Sequence, residues 1–156
     1  MPRIRRKMSD IKMENILIWV FGLGSFWDVT TSFLGIVGIF GVTNDNFDHL
    51  PVYITALVGS SIILGLSLNA EAIWNEYADD SYKLLRNFHI VTTFFDAYTS
   101  YLGTAQNIIL KDSRSAFITI GFGEVWRETT FDQKIILLLV TALVTLSPIA
   151  LSKLRP

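Results

Sequence analysis

Two aspartates sit where the chain has almost no other charge, and each is followed by the same pattern. Phe26-Trp-Asp-Val-Thr-Thr-Ser-Phe-Leu-Gly35 and Phe94-Phe-Asp-Ala-Tyr-Thr-Ser-Tyr-Leu-Gly103 share six of ten positions at an offset of 68 residues. Both copies carry Asp, Thr, Ser and Gly at i, i+3, i+4 and i+7: Asp28, Thr31, Ser32 and Gly35, then Asp96, Thr99, Ser100 and Gly103. On a helix these four fall on one face. Carboxylates with hydroxyls supply hard oxygen ligands suited to Na⁺, Mg²⁺ or Ca²⁺, or a carboxyl that loads and releases a proton. If the two carboxyls approach each other, one should hold its proton more tightly than usual, because close carboxylates resist double ionisation. Gly35 and Gly103 mark where a neighbouring helix comes close. Gly38, Gly24 and Ser25 extend the small stripe. The large residues beside it, Phe26, Trp27, Phe33, Leu34, Phe94, Phe95, Tyr101 and Leu102, are expected to face lipid.

A carboxylate at the bilayer centre costs roughly 2.5–3.5 kcal/mol on insertion scales. Two at matched positions therefore argue for a role. Three roles fit: an ion or proton site, hydrogen-bonded glue between helices, or a helix N-cap inside a broken span. Gly22-Leu-Gly-Ser25 could form such a break before Asp28, but no glycine precedes Asp96 in the same way.

Other candidates are weaker. His89 lies seven residues before Asp96 and could relay a proton to it. His49, beside Asp45 and Asp48, has too few partners for a strong metal site; the metal, if any, is not named by the sequence. Pro148 is expected to kink its helix. Asn69 and Gln106-Asn107 lie near span ends, and Trp126-Arg-Glu128 reads as loop packing. No Gly-x-Ser-x-Gly, His-Glu-x-x-His or P-loop occurs, so no enzyme and no organic cofactor are expected. There are no cysteines, which excludes disulfides and thiolate chemistry. A net charge of −1 gives no basic excess for nucleic acid.

The elements that must position the aspartates follow from where charge is missing. The chain has 156 residues, 51% hydrophobic and only 17% charged, against about a quarter charged in soluble domains. Asn15–Asn44 holds one charge in 30 residues, Leu50–Ala70 none in 21, Asn87–Leu110 one formal charge in 24, and Ile135–Ser152 none in 18. A helix crossing the hydrocarbon needs roughly 20 apolar residues. The expected fold is all-α: a polytopic membrane protein with four transmembrane helices over about 15–43, 51–71, 87–110 and 135–152. A second echo, Thr55-Ala-Leu-Val58 with Thr141-Ala-Leu-Val144, follows the first in the same order. The simplest reading is two repeated helical hairpins, 15–86 and 87–156, with parallel pseudo-twofold symmetry about the membrane normal.

Basic residues set the orientation. Placing the N-terminus in the cytoplasm puts nine Lys and Arg inside and four outside, so both termini are expected to be cytoplasmic. The first span is expected to be a retained signal-anchor. Glu71–Leu85 reads as a cytoplasmic continuation of the second helix. Trp19, Trp74 and Trp126 suit the interface. Ala116–Gly123 (AFITIGFG) suits a strand, a hairpin arm or an interfacial segment packed on the bundle or a partner.

The function these residues suggest is transport or conduction of a cation or protons. The path would run between the first and third spans, lined by Asp28, Thr31, Ser32, Asp96, Thr99 and Ser100. Four helices enclose little volume, so partners beyond the bilayer are expected: further copies of the chain or other membrane subunits. The alternatives are a non-catalytic assembly subunit of a larger membrane complex, and a pore-forming effector.

Overall fold

A computed structural model describes residues 2–42, 47–75, 82–106 and 121–154. Every regular element among them is helical. Helix α1 spans Pro2–Ile39, 38 residues. Proline suits its start, where no N–H has an intrahelical partner. The helix runs unbroken through Gly22, Gly24 and Ser25, and the Ser25 hydroxyl donates to the Phe21 carbonyl at 2.7 Å. Asp28 is therefore well inside α1 and does not cap a broken span. The helix ends at Ile39, earlier than the expected residue 43, and the chain turns at Gly41. Gly41 has φ 68°, and its N–H reaches the Gly38 carbonyl at 2.9 Å. Only glycine takes that left-handed geometry without strain.

A short 3-10 turn, Phe47–His49, leads into α2, Leu50–Leu68. Pro51 occupies the first turn of α2, where it removes no helical hydrogen bond. Asn69 ends α2, and its side-chain amide donates to the Gly65 carbonyl at 2.7 Å. The second helix does not continue to Leu85. A single turn, α3 (Ala70–Ile73), follows, and Tyr82–Leu85 already belong to α4, Tyr82–Thr104. Arg86 on α4 ties the two together. Its Nε donates to the Ile73 carbonyl at 2.9 Å and its Nη2 to the Asn75 carbonyl at 2.7 Å.

Residues 107–120 lie outside the described residues, including Asn107 and most of Ala116–Gly123. Phe122 and Gly123, however, begin helix α5, Phe122–Glu128, so that end of the segment is not a strand. Trp126 is part of this helix. It stacks on Phe122 at 5.9 Å and lies under the Lys134 ammonium at 5.0 Å. Helix α6, Phe131–Leu154, starts four residues before the expected 135. A reciprocal cap explains the early start: the Thr130 N–H donates to Gln133 Oε1 at 2.8 Å, and the Gln133 N–H to Thr130 Oγ1 at 3.4 Å. The helix continues through Pro148 to Leu154.

The distribution of polarity is inverted relative to a soluble bundle. Trp19, Leu23, Phe26, Leu57, Phe94 and Leu143 are exposed, while Asp28, Ser32, Ser60, Asp96, Ser100 and Thr145 are buried. In water such an outer surface would be an extended sticky patch. Against lipid tails it is neutral, and polar groups turn inward to find one another. Three helices are long and apolar enough to cross a membrane: Met13–Ile39, Leu50–Leu68 and Phe131–Leu154. The chain is accordingly read as a membrane protein. Helix α4 has the length, at 23 residues, but is too polar to join them on composition.

Four of the residues expected to face lipid are on the outer surface: Phe26, Trp27, Phe94 and Phe95 are exposed. The other four need correction. Phe33 stacks on Tyr53 of α2 at 6.4 Å, and Leu34 is half-buried. Tyr101 and Leu102 are buried in a cluster with Ala105, Val125 and Leu137. The cause is long-range: α5 and α6 cover this end of α4, and Phe122 rests on the Tyr101 ring at 5.0 Å.

Candidate functional site: a paired-aspartate seam between α1 and α4

Helix α1 packs more extensively on α4 than on any other element. Glycine makes that approach possible. A Cβ built on Gly35 would overlap the Thr99 backbone carbonyl, and one built on Gly103 would overlap the Thr31 carbonyl. Side-chain-free positions on each helix thus receive the backbone of the other. Two further glycines of α1 continue the seam. Gly24 has no room for a Cβ beside the Ser147 hydroxyl of α6, and Gly38 none beside the Gln106 carboxamide.

The close approach brings all six residues of the expected path together, and all are buried. Asp28 is 1% exposed and Asp96 0%. Each carboxyl takes a hydroxyl from the opposite helix. Ser32 Oγ donates to Asp96 Oδ1 at 2.5 Å, and Ser100 Oγ donates to Asp28 Oδ1 at 3.2 Å. The two serine hydroxyls are 2.9 Å apart. Thr31 Oγ1 donates to Ser100 Oγ at 3.0 Å, and Thr99 Oγ1 lies 3.0 Å from Ser32 Oγ. The same threonines reach the carbonyls of their own aspartates, Thr31 to Asp28 at 3.1 Å and Thr99 to Asp96 at 3.0 Å. The hydroxyl contacts across the seam are thus matched in the two decapeptides, serine to the opposite carboxyl and threonine to the opposite serine.

The same hydroxyls join the two carboxyls: Ser100 bonds to Asp28, Ser32 bonds to Asp96, and the two serines bond to each other. Asp96 Oδ2 is buried and has no donor among the described residues. An ionised carboxylate is an acceptor only. Two carboxyls joined by so short a relay of hydroxyls resist double ionisation, and a proton on Asp96 would turn one of its acceptor oxygens into a donor.

Other residues stand apart. His89 does not bond to the aspartates. Its Nδ1 accepts from the Trp74 indole N–H at 3.5 Å, on the side of α3. It lines a cleft of about 390 Å³ with Glu71, Trp74, Phe94, Ile149 and Lys153. A second cleft, of about 500 Å³, lies between Tyr82, Leu84, Leu85 and Phe88. Neither reaches Asp28 or Asp96. Asp45 is outside the described residues, and among those described no three His, Cys, Asp or Glu side chains gather as metal ligands.

The spacing of the stripe was visible in the sequence, including Gly24 and Gly38. Their partners on other helices, Ser147 and Gln106, were not, because nothing local links them. No protein-family model, no curated protein sequence and no solved structure matches the chain.

Proposed function

We propose that the protein is a small multi-pass membrane protein in which α4 is the fourth span and the Asp28–Asp96 pair is an occluded proton site used in transport. The reading of α4 rests on its sidedness. Leu84, Phe88, Val91 and Phe94 are exposed, while His89, Asp96, Thr99 and Ser100 are buried. A helix with that pattern can cross lipid as long as its polar face stays covered. Asp28 is then near the middle of the 27-residue span Met13–Ile39, and its partner is at a similar depth. The matched contacts of the two decapeptides support a parallel pseudo-twofold arrangement of two hairpins.

The observation that carries the proton reading is the short hydroxyl relay that joins two buried carboxyls, one of which, Asp96, has an oxygen with no donor among the described residues. A metal cation is a poorer fit. The hydroxyls that would ligate it already bond to the carboxylates and to each other. Release of the proton would leave two charges in one buried seam and drive α1 and α4 apart. That separation is the step that would expose the pair to one side of the membrane or the other.

Purified protein in liposomes holding a pH-sensitive dye tests this under an imposed potential. Wild-type vesicles are expected to pass protons, and D28N or D96N to lose at least ten-fold of that flux while remaining folded. Unchanged flux in the D28N/D96N double variant would refute the transport role. The closeness of the glycine seam favours a second reading, a permanent lock between α1 and α4. Under it neither wild type nor variants pass protons, and the variants lose stability alone.

A further inference from the structure

The cleft between α3, α4 and α6 is chemically unlike the aspartate seam. Its walls are apolar, formed by Ile90, Phe94 and Ile149, but its lining also holds a cation, an anion and a buried donor: Lys153, Glu71 and His89. His89 is 5% exposed. Because the Trp74 indole donates to Nδ1, the neutral imidazole carries its hydrogen on Nε2. That Nε2 is buried and has no partner among the described residues. Buried donors are almost always satisfied, and His89 is part of the wall of this cleft, so a ligand seated there would be the source of the acceptor. The Trp74 ring that fixes the tautomer is itself held edge-on to His89 at 6.3 Å and capped by the Arg86 guanidinium at 5.8 Å.

The position of the cleft narrows the choice of acceptor. Ala70 and Glu71 lie just past Asn69, which ends the span Leu50–Leu68, and Lys153 is in the last turn of the span Phe131–Leu154. The polar end of the cleft is thus at the level where a bilayer changes from tails to headgroups, where Trp and Lys are favoured. Its apolar end opens at Phe94 onto the exposed face of α4. A water-soluble ligand would leave that end unused. A lipid fills both ends.

We propose that this cleft binds one phosphatidylethanolamine molecule. The phosphate accepts from His89 Nε2–H and pairs with Lys153, the primary ammonium pairs with Glu71, and an acyl chain lies along Ile90, Phe94 and Ile149. Glu71 is what selects the headgroup. A purely anionic lipid would meet its carboxylate, and a choline headgroup has no N–H to give it.

Native mass spectrometry of the whole protein in detergent tests this with three lipids of identical acyl chains. Phosphatidylethanolamine is expected to bind at one molecule per chain, at least ten-fold more tightly than phosphatidylglycerol or phosphatidylcholine. Lys153→Gln should weaken it at least five-fold, and Glu71→Gln should abolish the preference over phosphatidylglycerol. Both side chains are exposed, so these variants keep the test independent of folding. His89→Leu should weaken binding as Lys153→Gln does. Equal binding of the three lipids, or unchanged binding in Lys153→Gln, would overturn the proposal. So would displacement of the lipid by an equal concentration of soluble phosphoethanolamine, which has no acyl chain.

Discussion

Replacing Gly35 with leucine is expected to destroy the α1–α4 seam, and Gly103→Leu should do the same from the other side. The added Cβ has no compliant neighbour. At Gly35 it meets the backbone carbonyl of Thr99, and at Gly103 that of Thr31. Backbone inside a helix cannot rotate away as a side-chain tip can, so the helices must separate. Separation stretches the hydroxyl–carboxyl bonds a turn away, where Ser32 reaches Asp96 and Ser100 reaches Asp28. Overpacking a tight contact typically costs about 1–3 kcal/mol, and lost buried hydrogen bonds add about 1 kcal/mol each. The informative comparison is alanine. In an ordinary helix Gly→Ala stabilises by up to about 1 kcal/mol. Gly22 and Gly65, with nothing near a built Cβ, should show that gain, and Gly35 should show a loss of about 2 kcal/mol or more. Thermal unfolding in detergent, followed by circular dichroism, reads the difference. Equal melting temperatures for Gly22→Ala and Gly35→Ala would mean that the seam is not a close contact.

The second large effect is expected in the energetic coupling of the aspartates. Asp96→Ala takes from the Ser32 hydroxyl its carboxyl acceptor, leaves it only the Thr99 and Ser100 hydroxyls, and cuts the relay that joins the two acids. Asp28→Ala does the same to Ser100, which keeps only the Thr31 and Ser32 hydroxyls. Each single change should cost about 1–3 kcal/mol, because it removes a buried hydroxyl–carboxyl hydrogen bond. The double change removes both carboxyls and strands no acid, so it should cost less than the sum by about 1–2 kcal/mol. A double-mutant cycle on chemical unfolding in detergent measures that shortfall. Strict additivity would show that the carboxyls act separately, each bonded to its own serine, and would remove the basis for a proton site built on the pair. Infrared spectroscopy gives an independent check: a protonated-carboxyl stretch present in wild type should disappear in D28N/D96N.

The sequence was most readable where spacing alone decides geometry. Asp28, Thr31, Ser32 and Gly35 had to share a face because a helix repeats every 3.6 residues, and the same holds for Asp96 through Gly103. That the two faces would meet was suggested only by their likeness. The ends of elements were harder. The Thr130–Gln133 cap and Gly41 both mark boundaries by local chemistry, but the missing charge obscured them: apolar runs show where lipid is, not where helix stops. Helix α1 extends back to Pro2 through residues with no apolar pattern, because basic residues such as Arg and Lys are good helix formers. Tyr101 and Leu102 show the other limit. Their spacing places them off the polar face, and only the arrival of α5 and α6 decides that this side is core rather than lipid.

The reciprocal clearance at Gly35 and Gly103 also constrains how the two halves can change. Each glycine makes room for the main chain of the other copy, so a larger residue in either one cannot be offset by trimming a side chain opposite it. Compensation would have to come from a shift of a whole helix, which would open the second clearance as well. The two decapeptides are therefore tied to each other like the two jaws of one clamp. Divergence is left to the outward positions, where Trp27 faces Phe95 in the alignment and Val29 faces Ala97, and it is barred from the inward four.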